Sequence, residues 1–120
     1  MFRSYLWGRI GSVRYACNGI KKFVAQEPNA RIHLVATIIL CGAILYFNIR
    51  GIELLALIIV TAFVWVAEAF NTAVEAIMDF ISPEYHPRVG LIKDISAGAV
   101  LMAAFTALIT GVIVFFPKLF

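Results

Sequence analysis

This sequence predicts an all-α membrane protein: one N-terminal interfacial amphipathic helix, then three transmembrane helices. Three observations carry that prediction. Of 120 residues, 62% are hydrophobic and only 14% charged, against about a quarter charged in soluble domains. Three long apolar runs follow a basic N-terminal stretch. The second run ends in a row of polar side chains, Glu68, Asn71, Glu75 and Asp79, that shares one side of a helix. The length allows a single domain over residues 1–120.

Residues 1–27 form the first element. Phe2, Leu6, Ile10, Val13, Cys17, Ile20 and Val24 fall within about 80° on a helical wheel, with Arg3, Arg14 and Lys21 on the flank. That is the pattern of a helix lying in the interface, apolar face toward the acyl chains and cations toward phosphates. Gly8, Gly11 and Gly19 weaken it, so docking has to support it. A cleavable signal peptide is not expected, because no short apolar core with a small-residue cleavage site follows the basic start. Cys17 and Cys41 do not make a disulfide framework.

Gln26-Glu27-Pro28-Asn29 ends this helix, since Pro28 disfavours helical backbone at Glu27 and suits the first turn of a new helix. The first span covers 28–47, extended beyond its apolar run by snorkelling of Arg31. His33 at its mouth reads as an interface residue rather than a ligand. Asn48 to Ile52 is a tight turn around Gly51. The second span covers 54–81, whose 28 residues reach about 42 Å, longer than the roughly 30 Å of hydrocarbon. With Leu54 near one face, Glu68 lies about 21 Å in, Glu75 reaches the headgroups and Asp79 reaches water. Two prolines and a glycine mark 82–90 as a loop, and Lys93 and Asp94 mark the start of the next helix. The third span covers 95–116, with Ala and Gly positions small enough for close helix contact, and Pro117-Lys118 ends it.

Arg3, Arg9, Arg14, Lys21, Lys22 and Arg31 all precede the first apolar run, with Glu27 the sole acid among them. Beside a membrane span such a cluster answers to anionic lipid and topology, so no nucleic-acid partner is expected. It also places the N-terminus, the 82–94 loop and the acidic row on the cytoplasmic side of a multi-pass cell membrane protein. Arg50 and the C-terminus then lie outside.

At about 100° per residue, Glu68, Asn71, Glu75 and Asp79 project within about 80° of one another. Facing hydrocarbon would cost each charge on the order of 2–3 kcal/mol or more, so the row must face a helix, a wet cleft or a cation. Three carboxylates around one volume repel, and Mg²⁺, which takes one or two protein carboxylates plus phosphate oxygens, is the natural compensator. Glu68, deepest in the row, suits a general base for a lipid hydroxyl, and Lys93 could neutralise a phosphate. No P-loop or G-x-G-x-x-G string is present. Taken singly, these residues have other uses: Asn71 in helix–helix bonding, Glu27 as a cap, Lys93 and Asp94 as topology anchors. A small oligomeric proton or cation conduit is the competing class. It would need acids at several depths, whereas the first and third spans have none.

Glu68-x-x-Asn71-Thr72-Ala73-Val74-Glu75-x-x-x-Asp79, then Glu84-Tyr85-His86 and Lys93-Asp94, resembles the signature of the prokaryotic diacylglycerol kinase family, which includes the undecaprenol kinases. The likeness runs from Gly19 to Phe116. It implies a homotrimer of three-span subunits with active sites between subunits near the cytoplasmic face, ATP as phosphoryl donor and a membrane lipid alcohol as acceptor. It implies Glu68 as the base on the lipid hydroxyl, with Arg31 also on the lipid substrate. Glu27 and Glu75 would hold Mg²⁺ bridging the ATP phosphates. Asn71, Lys93 and Asp94 would position the nucleotide, with Asp79, Glu84 and His86 nearby. Arg9 matches the family less well. Asn29-Ala30-Arg31-Ile32-His33-Leu34, Pro87, and Ala97-Gly98-Ala99-Val100-Leu101 look more like the undecaprenol-kinase branch than the enterobacterial diacylglycerol branch.

Overall fold

A computed structural model describes residues 1–120 as four helices and no strand: α1 (Phe2–Gln26), α2 (Pro28–Tyr46), α3 (Gly51–Ile81) and α4 (Pro87–Leu119). The α1–α2 break falls at Glu27, whose extended backbone lets Pro28 occupy the first helical turn. Arg31 donates from Nη2 to the Ala25 carbonyl at 2.5 Å and closes the end of α1. The α2–α3 corner uses Asn48 at φ 54° and Gly51 at φ 66°, backbone that asparagine and glycine adopt more readily than other residues.

Three helix limits differ from the sequence expectation, the first being that α3 begins at Gly51, inside the stretch expected to be a turn. Residues 87–90 are helical rather than loop, because Pro87 sits where its missing N–H costs nothing and His86 caps the helix, its Nδ1 accepting from the Arg88 amide at 3.1 Å. Nor does Pro117 end α4, which runs on to Leu119. A proline in the last turn forfeits one backbone bond and leaves the helical φ unchanged.

The helices α3 and α4 pack antiparallel along their length, clasped at both ends by ion pairs. Glu53 Oε2 meets Lys118 Nζ at 3.0 Å, and Asp79 Oδ1 meets Lys93 Nζ at 2.5 Å. Between them, α3 buries Leu57, Val64, Glu68 and Asn71 along one face. At one end of that face Leu57 and Val114 pack with Ile49, flanked by Phe47 and Phe115. The acidic row is thus the continuation of the face that holds α3 to α4. Opposite it, Ala103 is fully buried, small enough to let the helices close.

Little else is enclosed. Only 8 of 120 residues are buried, and α1 buries none. The radius of gyration is 18.1 Å, against roughly 14 Å for a compact domain of this length. Phe63, Ile59, Phe105, Leu108 and many like them are exposed. The three apolar helices α2, α3 and α4 are each long enough to cross a bilayer. A chain that leaves such faces open is stable only with lipid or other helices against them.

Candidate active site

Along the polar row burial falls steadily toward the α3 C-terminus. Glu68 is 2% exposed and Asn71 6%, Glu75 is half-buried, and Asp79 is 67% exposed in its ion pair with Lys93. One helix face therefore passes from the packed interior of the chain to its polar end. Glu68 Oε1, Asn71 Oδ1 and Thr72 Oγ1 are buried without a hydrogen-bond partner. Three orphaned acceptors within two helical turns are costly, and such groups are retained where a ligand is to meet them.

Two clefts reach these atoms. The first, about 310 Å³, lies between α2, α3 and α4, where Asn29, Ile32 and His33 face Glu68 and Asn71, with Ala97, Val100, Leu101 and Ala104 as its apolar wall. In it His33 Nε2 stands 3.5 Å from Glu68 Oε2. The second, about 470 Å³, runs between α1 and α3, with Lys22, Gln26 and Glu27 on one side and Thr72, Ala73 and Ala76 on the other. Glu68 thus belongs to the cleft between the spans, and Glu27 to the groove under the surface helix.

Most of the remaining residues named from sequence gather at the same end. Glu75 follows Thr72 by three positions and is close enough to Lys93 to add to the negative field at its ammonium. Asp94 and the side chains of Glu84 and His86 are exposed around the α3–α4 turn. There Ser82 Oγ donates to the Glu84 carbonyl at 3.1 Å, and His86 caps α4. Arg31 is engaged at the end of α1, not beside Glu68.

The donor set suits a hard divalent cation. Glu27, Glu75, the orphaned Thr72 hydroxyl and the Asn71 amide oxygen are all oxygen donors at one end of the molecule. Within one chain no three His, Cys, Asp or Glu side chains converge on a metal. Mg²⁺ takes one or two protein carboxylates when phosphates and water complete its shell.

Two contacts were not legible from spacing. His33, read as an interface residue, turns inward to Glu68 and lies edge-on to Trp65 at 6.2 Å. Trp65 Nε1 donates to Thr37 Oγ1 at 2.9 Å, and Thr37 Oγ1 donates to the His33 carbonyl at 2.7 Å. Spacing puts His33 and Thr37, four apart, on one side of α2, and Trp65 and Glu68, three apart, on one side of α3, without saying that the two sides meet.

An interfacial helix, three spanning helices and a row of acids that starts buried among them and ends in the open define a multi-pass membrane protein with a polar site at the end of its bundle. The comparisons make the class specific. The sequence profile of the prokaryotic diacylglycerol kinase family matches residues 14–115. The chain is 33% identical over 109 residues, 90% of its length, to the diacylglycerol kinase of Synechocystis sp., of which it spans 62%. It is 32% identical over 107 residues to the undecaprenol kinase of Bacillus subtilis, covering 88% of this chain and 85% of that protein. To the diacylglycerol kinase of Escherichia coli K12 it is 31% identical over 101 residues, 84% of this chain and 83% of that one. The chain belongs to the prokaryotic diacylglycerol kinase family, a family of membrane lipid kinases. Membership of a kinase family does not favour the ion-conduit reading.

Proposed function

We propose that this protein transfers the γ-phosphoryl group of ATP to the hydroxyl of a membrane lipid, undecaprenol in preference to diacylglycerol, giving undecaprenyl phosphate. The observation that carries the reading is Glu68: a carboxylate 2% exposed, lining a cleft between spans, with one oxygen unpartnered. An acid so placed needs a proton to take, and a lipid alcohol entering between the helices offers one.

In this scheme Glu68 accepts the hydroxyl proton as the lipid oxygen bonds to the γ-phosphorus and ADP leaves. Phosphoryl transfer asks the protein mainly for position and charge compensation. Lys93 exchanges the Asp79 carboxylate for a phosphate oxygen, Asn71 and Asp94 orient the nucleotide, and Asp79, Glu84 and His86 border it. Glu27 and Glu75 would hold Mg²⁺, which would supply positive charge to offset the phosphates. Phosphates belong in water and the alcohol in lipid, and the burial gradient from Glu68 to Asp79 joins the two environments on one helix face.

Assembly into a homotrimer in the cell membrane with the N-terminus cytoplasmic belongs to the same reading. It is supported by the openness of the single chain, by the basic excess before α2 and by the family. Neighbouring copies would supply walls that three spans cannot.

The identities to undecaprenol and diacylglycerol kinases are nearly equal, so the lipid preference rests on the residues quoted above, the segment from Asn29 to Leu34 foremost. The test is a mixed-micelle assay with purified protein, Mg²⁺, radiolabelled ATP and either undecaprenol or diacylglycerol. Label should pass to the organic phase with both alcohols and faster with undecaprenol. Equal rates, or faster transfer to diacylglycerol, would remove the preference; no transfer to either would remove the kinase reading.

A further inference from the structure

The geometry points to His33 as a positioning residue for Glu68: its imidazole N–H holds one carboxylate oxygen so that the other is presented to the lipid hydroxyl. This inference rests on the kinase reading and adds to it a residue on a different helix. Glu68 Oε2 lies 3.5 Å from His33 Nε2, while Oε1 has no partner. The two oxygens of one carboxylate are therefore inequivalent, one toward a donor and one free. At 3.5 Å the contact is longer than a formed hydrogen bond. Contacts of this kind in unliganded sites tighten when substrate arrives.

The surroundings hold the imidazole in place. Thr37 Oγ1 bonds back to the His33 carbonyl at 2.7 Å and accepts from Trp65 Nε1 at 2.9 Å, tying the His33 turn of α2 to the turn of α3 just before Glu68. The Trp65 ring stands edge-on to the imidazole at 6.2 Å, and Phe23 of α1 stands edge-on to Trp65 at the same distance. His33 lines both the cleft that holds Glu68 and an adjoining apolar cleft of about 270 Å³ bordered by Thr37, Leu40, Val64 and Trp65, and among the residues lining the two Glu68 is its only titratable neighbour. The imidazole is 21% exposed. No other side chain competes for its proton, and none but His33 stands within ion-pair reach of Glu68. Placing a base by a donor on a second helix makes the reaction depend on α2 and α3 being docked.

Steady-state kinetics on the full chain in mixed micelles, with ATP, Mg²⁺ and undecaprenol, tests this with two variants. His33→Ala should lower kcat roughly 10- to 100-fold, the range expected for loss of a hydrogen bond to a charged group. KM for both substrates should stay within about threefold, because a positioning residue acts through the base. His33→Gln retains an N–H donor of similar reach and should return kcat to within about fivefold of wild type. Circular dichroism and gel filtration establish folding, and if the alanine variant fails to fold, His33→Leu takes its place as the variant without a donor. Wild-type kcat in His33→Ala overturns the inference. So does loss as deep in His33→Gln as in His33→Ala, or a rise in KM at unchanged kcat. Wild-type protein that phosphorylates neither alcohol sinks the kinase reading and this inference with it; normal transfer indifferent to His33 sinks the inference alone.

Discussion

Replacing Glu68 with glutamine should lower kcat for lipid phosphorylation by about 100- to 10,000-fold, the span that general-base catalysis contributes. The substitution keeps the volume and the hydrogen-bonding reach of the side chain and removes only its basicity. Glu68 is 2% exposed among α2, α3 and α4. Burying a neutral amide there is cheaper than burying a carboxylate, so Glu68→Gln should fold at least as well as wild type. ATP binding should survive, because the proposed phosphate site lies toward Glu75 and Lys93, two to three helical turns along the row. The measurement is label transfer from ATP to lipid beside equilibrium binding of an ATP analogue. Retained turnover in the folded variant would remove Glu68 from the chemistry and favour a purely structural reading of the row.

Glu75→Gln fails differently. Half-buried at the mouth of the site, Glu75 is proposed to hold the metal rather than take the proton, and removing its charge should cut transfer roughly 100-fold at ordinary Mg²⁺, a loss of about 2.7 kcal/mol of transition-state stabilisation. The defect should shrink as Mg²⁺ is raised, because a weakened site can be filled by mass action. No Mg²⁺ concentration should restore Glu68→Gln. A magnesium titration of both variants and wild type separates the two roles. If Glu75→Gln shows unchanged magnesium dependence, the metal assignment falls while the base assignment stands.

Much of this architecture was legible in the chain. Continuous apolar runs of about twenty residues span a bilayer as helices, and the spacing of Glu68, Asn71, Glu75 and Asp79 puts them on one face. The break at Glu27-Pro28 and the corner at Asn48–Gly51 followed from residues with few backbone options. What periodicity could not supply was packing. Prolines mark breaks and helix starts alike, so sequence alone leaves Pro87 in a loop where His86 makes it a first turn. Arg31 carries a charge near the site by position, and its bond to the carbonyl of Ala25 depends on the angle between α1 and α2, which spacing does not give. His33 shows the reverse case: at the mouth of a span it looks like an anchor, and only docking of α2 on α3 turns it to Glu68. The Asp79–Lys93 pair joins residues fourteen apart in sequence through a turn whose length could not be read from composition.

The central claim, that the acids of α3 and Glu27 build one phosphoryl-transfer site at the edge of the membrane, is tested most directly by an experimental structure with Mg²⁺ and a non-hydrolysable ATP analogue. The account predicts three copies of the chain, magnesium between carboxylates of Glu27 and Glu75, and the terminal phosphate over the cleft that holds Glu68. Nucleotide bound away from α3, or Glu68 turned out to the acyl chains with no space for phosphate beside it, would contradict it.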